Sequence, residues 1–211
     1  AEYRAQGRGG KGVKAMATRE EDYVETVFTA STHDSILFFT NLGKVYVRKG
    51  YRIPEAGRSA RGQNIVNIIP TDPGEKVSAM IAGRGVTEDN YLVFVTRNGT
   101  VKRTAQSAFK NIRSNGIRAL SLDEGDELIS VLQTTGEDKI LLATHDGMAI
   151  CFAETDARAM GRDAVGVRGI RLREGDYVVG AGIAAEGAAI LSITENGYGK
   201  RTDVGEYSVQ N

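Results

Sequence analysis

The sequence predicts an all-β protein built from successive four-stranded blades, arranged like those of a propeller. Three observations carry this. A turn segment recurs four times, with its shared glycines Gly43, Gly99, Gly147 and Gly197 spaced 56, 48 and 50 residues apart. A second element recurs between these turns, in the same order and phase. No stretch shows a 3.6-residue apolar period of helical length, while 26 glycines against 3 prolines favour many tight turns.

The elements follow in chain order. Each turn segment is preceded by an apolar run of strand length: Ile36-Leu37-Phe38-Phe39, Tyr91-Leu92-Val93-Phe94-Val95, Ile140-Leu141-Leu142-Ala143 and Ala189-Ile190-Leu191-Ser192-Ile193. Asn98-Gly99, Asp146-Gly147 and Asn196-Gly197 are dipeptides suited to the positive φ angles of a type I′ turn, so each unit reads as a β-hairpin. The second element runs from Gly116-Ile117-Arg118 to Gly125-Asp126, and from Gly166-Val167-Arg168 to Gly175-Asp176. Its first copy, Gly62–Ile68, reaches Gly74-Glu75 with three extra residues. A further strand follows each Gly-acid pair, at Val77–Ala82, Leu128–Leu132 and Val178–Ile183. About four strands in roughly 50 residues is the arithmetic of a propeller blade. The repeats fall near 22–83, 84–133, 134–184 and 185–211, after a leading segment 1–20. We read residues 1–211 as a single domain, and the incomplete fourth repeat as a sign of a longer array.

Composition narrows the function. A chain that is 41% hydrophobic and 26% charged suits a folded domain rather than a disordered one. Neither an apolar run long enough for a membrane helix nor a signal peptide is evident, which leads us to expect a cytoplasmic protein with no membrane partner. One cysteine, Cys151, and two histidines, His33 and His145, leave no set for a disulfide framework or an ordinary zinc site. His145-Asp146 falls in a hairpin turn, where Asp-Gly is explained by turn chemistry, so no catalytic residue is expected in the chain.

Net charge is zero, with 27 bases and 27 acids, yet the charges are segregated. Residues 43–62 hold six bases and one acid, and 99–118 hold five bases and no acid. Between 119 and 139 the balance reverses to six acids and one base. Bases repeated in phase project to equivalent places and form a stripe, which suits a polyanion such as duplex DNA. The candidates for backbone phosphate contact are Lys44, Arg48, Lys49, Arg52 and Arg58; Lys102, Arg103, Lys110 and Arg113; Arg158 and Arg162; and Lys200 and Arg201. Arg61, Arg118 and Arg168 stand beside glycines, and a structural role suits them equally. A propeller-like protein-interaction scaffold is the competing reading, which the charge phase argues against.

Near the start lies Gln6-Gly7-Arg8-Gly9-Gly10-Lys11-Gly12. No Ser or Thr follows its lysine and no apolar strand precedes it, so it is not a nucleotide-binding P-loop. The segment resembles the signature box of the DNA gyrase C-terminal domain family, the one carried by the enzyme's A subunits, which usually reads Gln-Arg-Arg-Gly-Gly-Lys-Gly. Arg158-Ala159-Met160-Gly161, Gly166–Leu172 and Asn196-Gly197-Tyr198-Gly199-Lys200-Arg201-Thr202 resemble that family too. Two positions depart from it: Gly7 stands where a basic residue is usual, and Val13 where another often follows.

The resemblance implies a six-bladed β-pinwheel whose neighbouring blades exchange a strand, of which about four blades are present here. It implies a domain that binds, bends and wraps double-stranded DNA without sequence specificity, with box residues required for wrapping. It further implies a place within an A2B2 type II topoisomerase, alongside the rest of the gyrase A polypeptide and its gyrase B partners, in the bacterial cytoplasm at the nucleoid. ATP and Mg²⁺ would belong to other domains, leaving no cofactor or metal in this one. The corresponding C-terminal domain of topoisomerase IV is the sister alternative, with a lost or degraded box.

Overall fold

The computed structural model describes residues 7–9, 16, 23–57, 60–83 and 90–210. Thirteen strands form among the described residues, joined by short 3₁₀ turns and by no α-helix. In order they are β1 Ser35–Thr40, β2 Lys44–Lys49, β3 Val77–Gly83, β4 Tyr91–Thr96, β5 Thr100–Ala105, β6 Ile117–Arg118 and β7 Leu128–Thr134. There follow β8 Lys139–Thr144, β9 Ala149–Ala153, β10 Val167–Arg168, β11 Val178–Ile183, β12 Ala189–Ile193 and β13 Gly199–Asp203. No helix among these residues is long and apolar enough to cross a membrane.

The sheets run β3-β1-β2-β6, β10-β5-β4-β7, β11-β8-β9 and β12-β13, with antiparallel pairing between named strands throughout. Each of the first two blades takes one edge strand from the following repeat. Ile117 pairs with Val45 and Arg118 with Lys44; Val167 pairs with Val101 and Arg168 with Thr100. The borrowed segment also hooks onto the preceding turn, where Gly43 O accepts from Ala119 N at 2.7 Å and Gly99 O accepts from Gly169 N at 2.8 Å.

The first three apolar runs are buried on both faces, the second and third between neighbouring blades, whereas the fourth, Ala189–Ile193, is largely exposed. Side chains alternate along a strand, so one run serves two layers. Leu37 and Phe39 meet Leu92 and Phe94 between the first two blades, with Phe109 completing an aromatic cluster. Val93 and Val95 turn the other way, to Ile140 and Leu142 of the third blade. Leu141 in turn packs with Cys151, Ala184 and Val204 toward the fourth. That alternation explains why the strands read as continuous hydrophobic runs rather than as apolar–polar patterns.

The turns differ in type from the sequence expectation. Each loop has three residues, closed by the glycine N–H donating to the threonine carbonyl: Gly43 to Thr40, Gly99 to Thr96, Gly147 to Thr144 and Gly197 to Thr194. The glycines have φ of 76–84°, the arrangement of a type I turn ending in a left-handed residue rather than a type I′ turn. The threonine hydroxyl selects it by accepting from the N–H of the residue after the glycine, as at Thr100 (3.1 Å), Met148 (3.1 Å) and Tyr198 (3.2 Å). The first copy of the second element also departs: Ile65–Asn67 is a 3₁₀ turn, capped by the Asn64 side chain accepting from Val66 N.

Candidate nucleic-acid interface

A groove of about 1550 Å³ opens beside the edge strand β6, between the end of β2 and the loop joining β5 to β6. Its lining includes Arg48, Lys49 and Arg52 from the first repeat, Lys110, Arg113 and Arg118 from the second, and Arg162 from the third. Asp163 is the sole acid in that lining. Residues distant in sequence meet here because β6, with Arg118, is laid onto the edge of β2. The lent strand thus brings seven cations into the lining of one groove, five of them exposed and Arg48 and Arg162 half-buried, where they raise the local potential for an anion.

Several basic candidates do other work. Lys102 is fully buried, and its ammonium donates to the carbonyls of Ala119 (2.6 Å), Gly161 (3.1 Å) and Arg162 (2.9 Å). Burial pulls its pKa down to about 8, with Asp163 opposing the change. A group so enclosed presents nothing to a phosphate, so its expected contact role is corrected to a structural one. Arg103 lies across the Tyr91 ring, donates to Ala157 O at 2.9 Å, and sits 3.8 Å from buried Glu154. It too is an internal tie, between the second and third blades. Arg48 is intermediate: it lines the groove while donating to Ile68 O and Val47 O, each at 2.7 Å. Lys44 is paired with Asp72, whose hydrogen bond raises the lysine pKa.

The remaining candidates divide plainly. Arg158, Lys200 and Arg201 are exposed but lie outside the groove lining. Arg61 and Arg168 are exposed as well, and Arg168 with Arg171 lines a second, smaller groove of about 510 Å³. Of the box, Gly7, Arg8 and Gly9 are exposed, with Gly9 at φ 85°, while Gln6, Gly10, Lys11 and Gly12 lie outside the described residues, as does Arg58. Sequence reasoning undervalued Arg118. The clue was its position in an element that returns to another blade, which makes it an edge residue.

The Gly-acid pairs prove to be clamps for the hairpin loops. Glu75 accepts from Thr40 Oγ1 (2.7 Å) and from the Tyr46 hydroxyl (2.9 Å); Asp126 accepts from Asn98 N, and Asp176 from Asp146 N, both at 3.0 Å. Burial, with the Glu75 bond second, pushes the Tyr46 phenol up to about 12. Burial would raise the Asp176 carboxyl, but bonds from Thr144, Asp146 and Tyr177 outweigh it and hold the group below its usual range. His145, Asp146 and Asp176 cluster within 4.8 Å, and the His145 ring stacks on Tyr177. Because Asp176 is engaged with the loop amides, the cluster is explained by turn architecture.

Comparison with known proteins agrees with this geometry. The family described as "DNA gyrase C-terminal domain, beta-propeller" matches residues 1–31, 34–83, 90–135, 138–185 and 189–211. The DNA gyrase A polypeptide of Staphylococcus aureus strain NCTC 8325 / PS 47 is 50% identical over 212 residues, spanning 99% of this chain and 24% of that protein. The same figures hold for strain MRSA252. The chain therefore spans about a quarter of the length of these curated relatives. A solved DNA gyrase A C-terminal domain superposes with a TM-score of 0.78 at 30% identity, covering 100% of this chain and 68% of that one. The C-terminal domain of a DNA topoisomerase IV gives 0.77 at 32% identity, covering 85% and 56%. With the profile match running along nearly the whole sequence and the pinwheel exchange of strands in place, the chain belongs to the DNA gyrase C-terminal domain family.

Proposed function

We propose that the chain binds duplex DNA without sequence specificity along the edge that carries this groove, and bends and wraps it there. The observation that carries this is the groove in which seven cations from three repeats meet a single acid. Side chains of this kind contact phosphates, and such contacts position a duplex without reading its bases. DNA has a persistence length of about 150 base pairs, so sustained bending over a short site costs several kcal/mol. Counterion release at each neutralised phosphate supplies the offset.

In a full-length gyrase A polypeptide, assembled with gyrase B as A2B2 at the bacterial nucleoid, this wrap would present a second duplex segment for ATP-dependent negative supercoiling. The named relatives support that assignment. ATP and Mg²⁺ would act on other domains, with no cofactor here. The box Gln6–Gly12 would make the closing contact of the DNA path.

The test is to relax closed-circular DNA with an unrelated topoisomerase while the chain is bound. Wrapping leaves a shift in linking number that grows with protein added and vanishes at high salt. Binding without a shift would reduce the function to simple duplex binding. Absent or salt-independent binding would favour a protein-interaction scaffold.

A further inference from the structure

Lys102 sits where three pieces of chain converge. Its own strand, β5, belongs to the second blade. Ala119, one of its acceptors, follows Arg118 in the segment lent to the first blade. Gly161 and Arg162, the other two, lie in the loop that precedes the next lent strand, β10. The two lent segments are also joined directly: Ser121 N donates to Ala164 O (3.2 Å), Ser121 Oγ to Asp163 O (2.8 Å), and Arg162 Nη1 to Arg118 O (3.5 Å). The ammonium lies 5.2 Å from the Phe94 ring centre, so one side of it meets the core between blades.

An ammonium has three donors and no acceptor, and here all three are used on backbone carbonyls. Charge-assisted bonds of this kind are stronger than neutral ones, and losing the donor removes the ammonium from the buried Ala119 carbonyl and from the part-buried carbonyls of Gly161 and Arg162. At the same phase the first repeat has Tyr46, bonded to Glu75, and the third has Ile150, an apolar side chain. The ammonium clasp is thus specific to this junction among those two and its own, and this junction forms a wall of the groove.

We propose that Lys102 is a positioning residue for DNA binding: by holding Ala119, Gly161 and Arg162 together, it fixes Arg118 and Arg162 at one spacing in the groove. The proposal rests on the groove being the DNA face. Without the clasp the two arginines remain in the groove, but their segments are joined only by the bonds from Ser121 and Arg162, so more ordering entropy is lost on binding.

The experiment is a double-mutant cycle in the full 211-residue chain, reading duplex affinity together with amide exchange at Ser121. Lys102→Met preserves the stem but removes the donors. It is expected to weaken binding about tenfold, within the range of couplings between neighbouring groups, and to lose protection at Ser121 while β4 stays protected. In an Arg118→Ala/Arg162→Ala background the same change should leave affinity unaltered. Lys102→Gln, with two donors, should fall between wild type and Lys102→Met, and serves if the Met variant does not fold. Unchanged affinity and protection, or an equal loss in both backgrounds, would overturn the proposal. If Arg118→Ala/Arg162→Ala itself leaves binding intact, it is the groove reading that fails. Retained Ser121 protection in the Lys102 variants would then overturn the clasp as well.

Discussion

Replacing Lys49, Arg52, Arg113 and Arg118 together by glutamine removes four cations from the groove while leaving every strand core untouched. Each phosphate neutralised on duplex DNA contributes about −0.9 to the slope of log affinity against log salt. If each of the four engages one phosphate, the slope flattens by about 3.6. Between 50 and 200 mM salt that corresponds to roughly 150-fold of affinity change present in the wild type and missing in the variant. Fluorescence anisotropy with a labelled duplex, titrated at four or five salt concentrations, measures it directly. Different sequences of equal length should be affected alike, because phosphates carry no sequence. The matched control is Lys44→Gln with Lys139→Gln, two charges outside the groove lining, of which Lys44 is already engaged by Asp72. An unchanged slope in the quadruple variant, or equal flattening per charge in the control, would refute the assignment of the groove.

Three other outcomes are expected. Phe94→Ala empties the centre of the Phe39–Phe94–Phe109 cluster and should destabilise the fold by about 3–5 kcal/mol in urea melts; a loss under about 1 kcal/mol would show that the blades do not depend on this layer. The Tyr46 phenol, raised from 10.0 to about 12, keeps its proton in the fold where the unfolded chain has lost it. Its contribution to stability is whole below pH 10.0 and is lost as pH rises through about 12, so Tyr46→Phe should flatten that part of the stability profile. Arg8→Ala with Lys11→Ala should leave most duplex affinity intact in this chain. In full-length gyrase it should abolish negative supercoiling while sparing relaxation of positive supercoils, and supercoiling at the wild-type rate would make the box a linker only.

Much of the fold was legible because it repeats. Four glycines in register located every hairpin, and the apolar runs before them located the strands that now pack between blades. Turn type was misjudged because Asn-Gly and Asp-Gly suggest two-residue loops, whereas Thr96, Thr144 and Thr194 draw the hydrogen bond back by one residue. The interface was legible as a class of residue and less so as a set. In-phase counting treats all bases in a segment alike, but β5 is enclosed on both faces, so Lys102 turns into the interior while Lys110 and Arg113, in the loop beyond, reach the surface. Strand alternation inside a doubly covered sheet cannot separate an inward lysine from an outward one. The partner carbonyls that settle the matter come from segments 17 to 60 positions away.

The lending of strands has a mechanical side. A duplex bound at Arg118 as proposed would pull on backbone that belongs to the second repeat and lies against the first. The recoil of a duplex bent as proposed would therefore be carried across the blade boundary by covalent bonds, and not by side-chain contacts alone. Prising two such blades apart requires peeling Ile117 and Arg118 from Lys44 and Val45, as well as separating the apolar layers between them. The array transmits load as linked members do, and stiffens against the splaying that a bent duplex would otherwise impose on its own support.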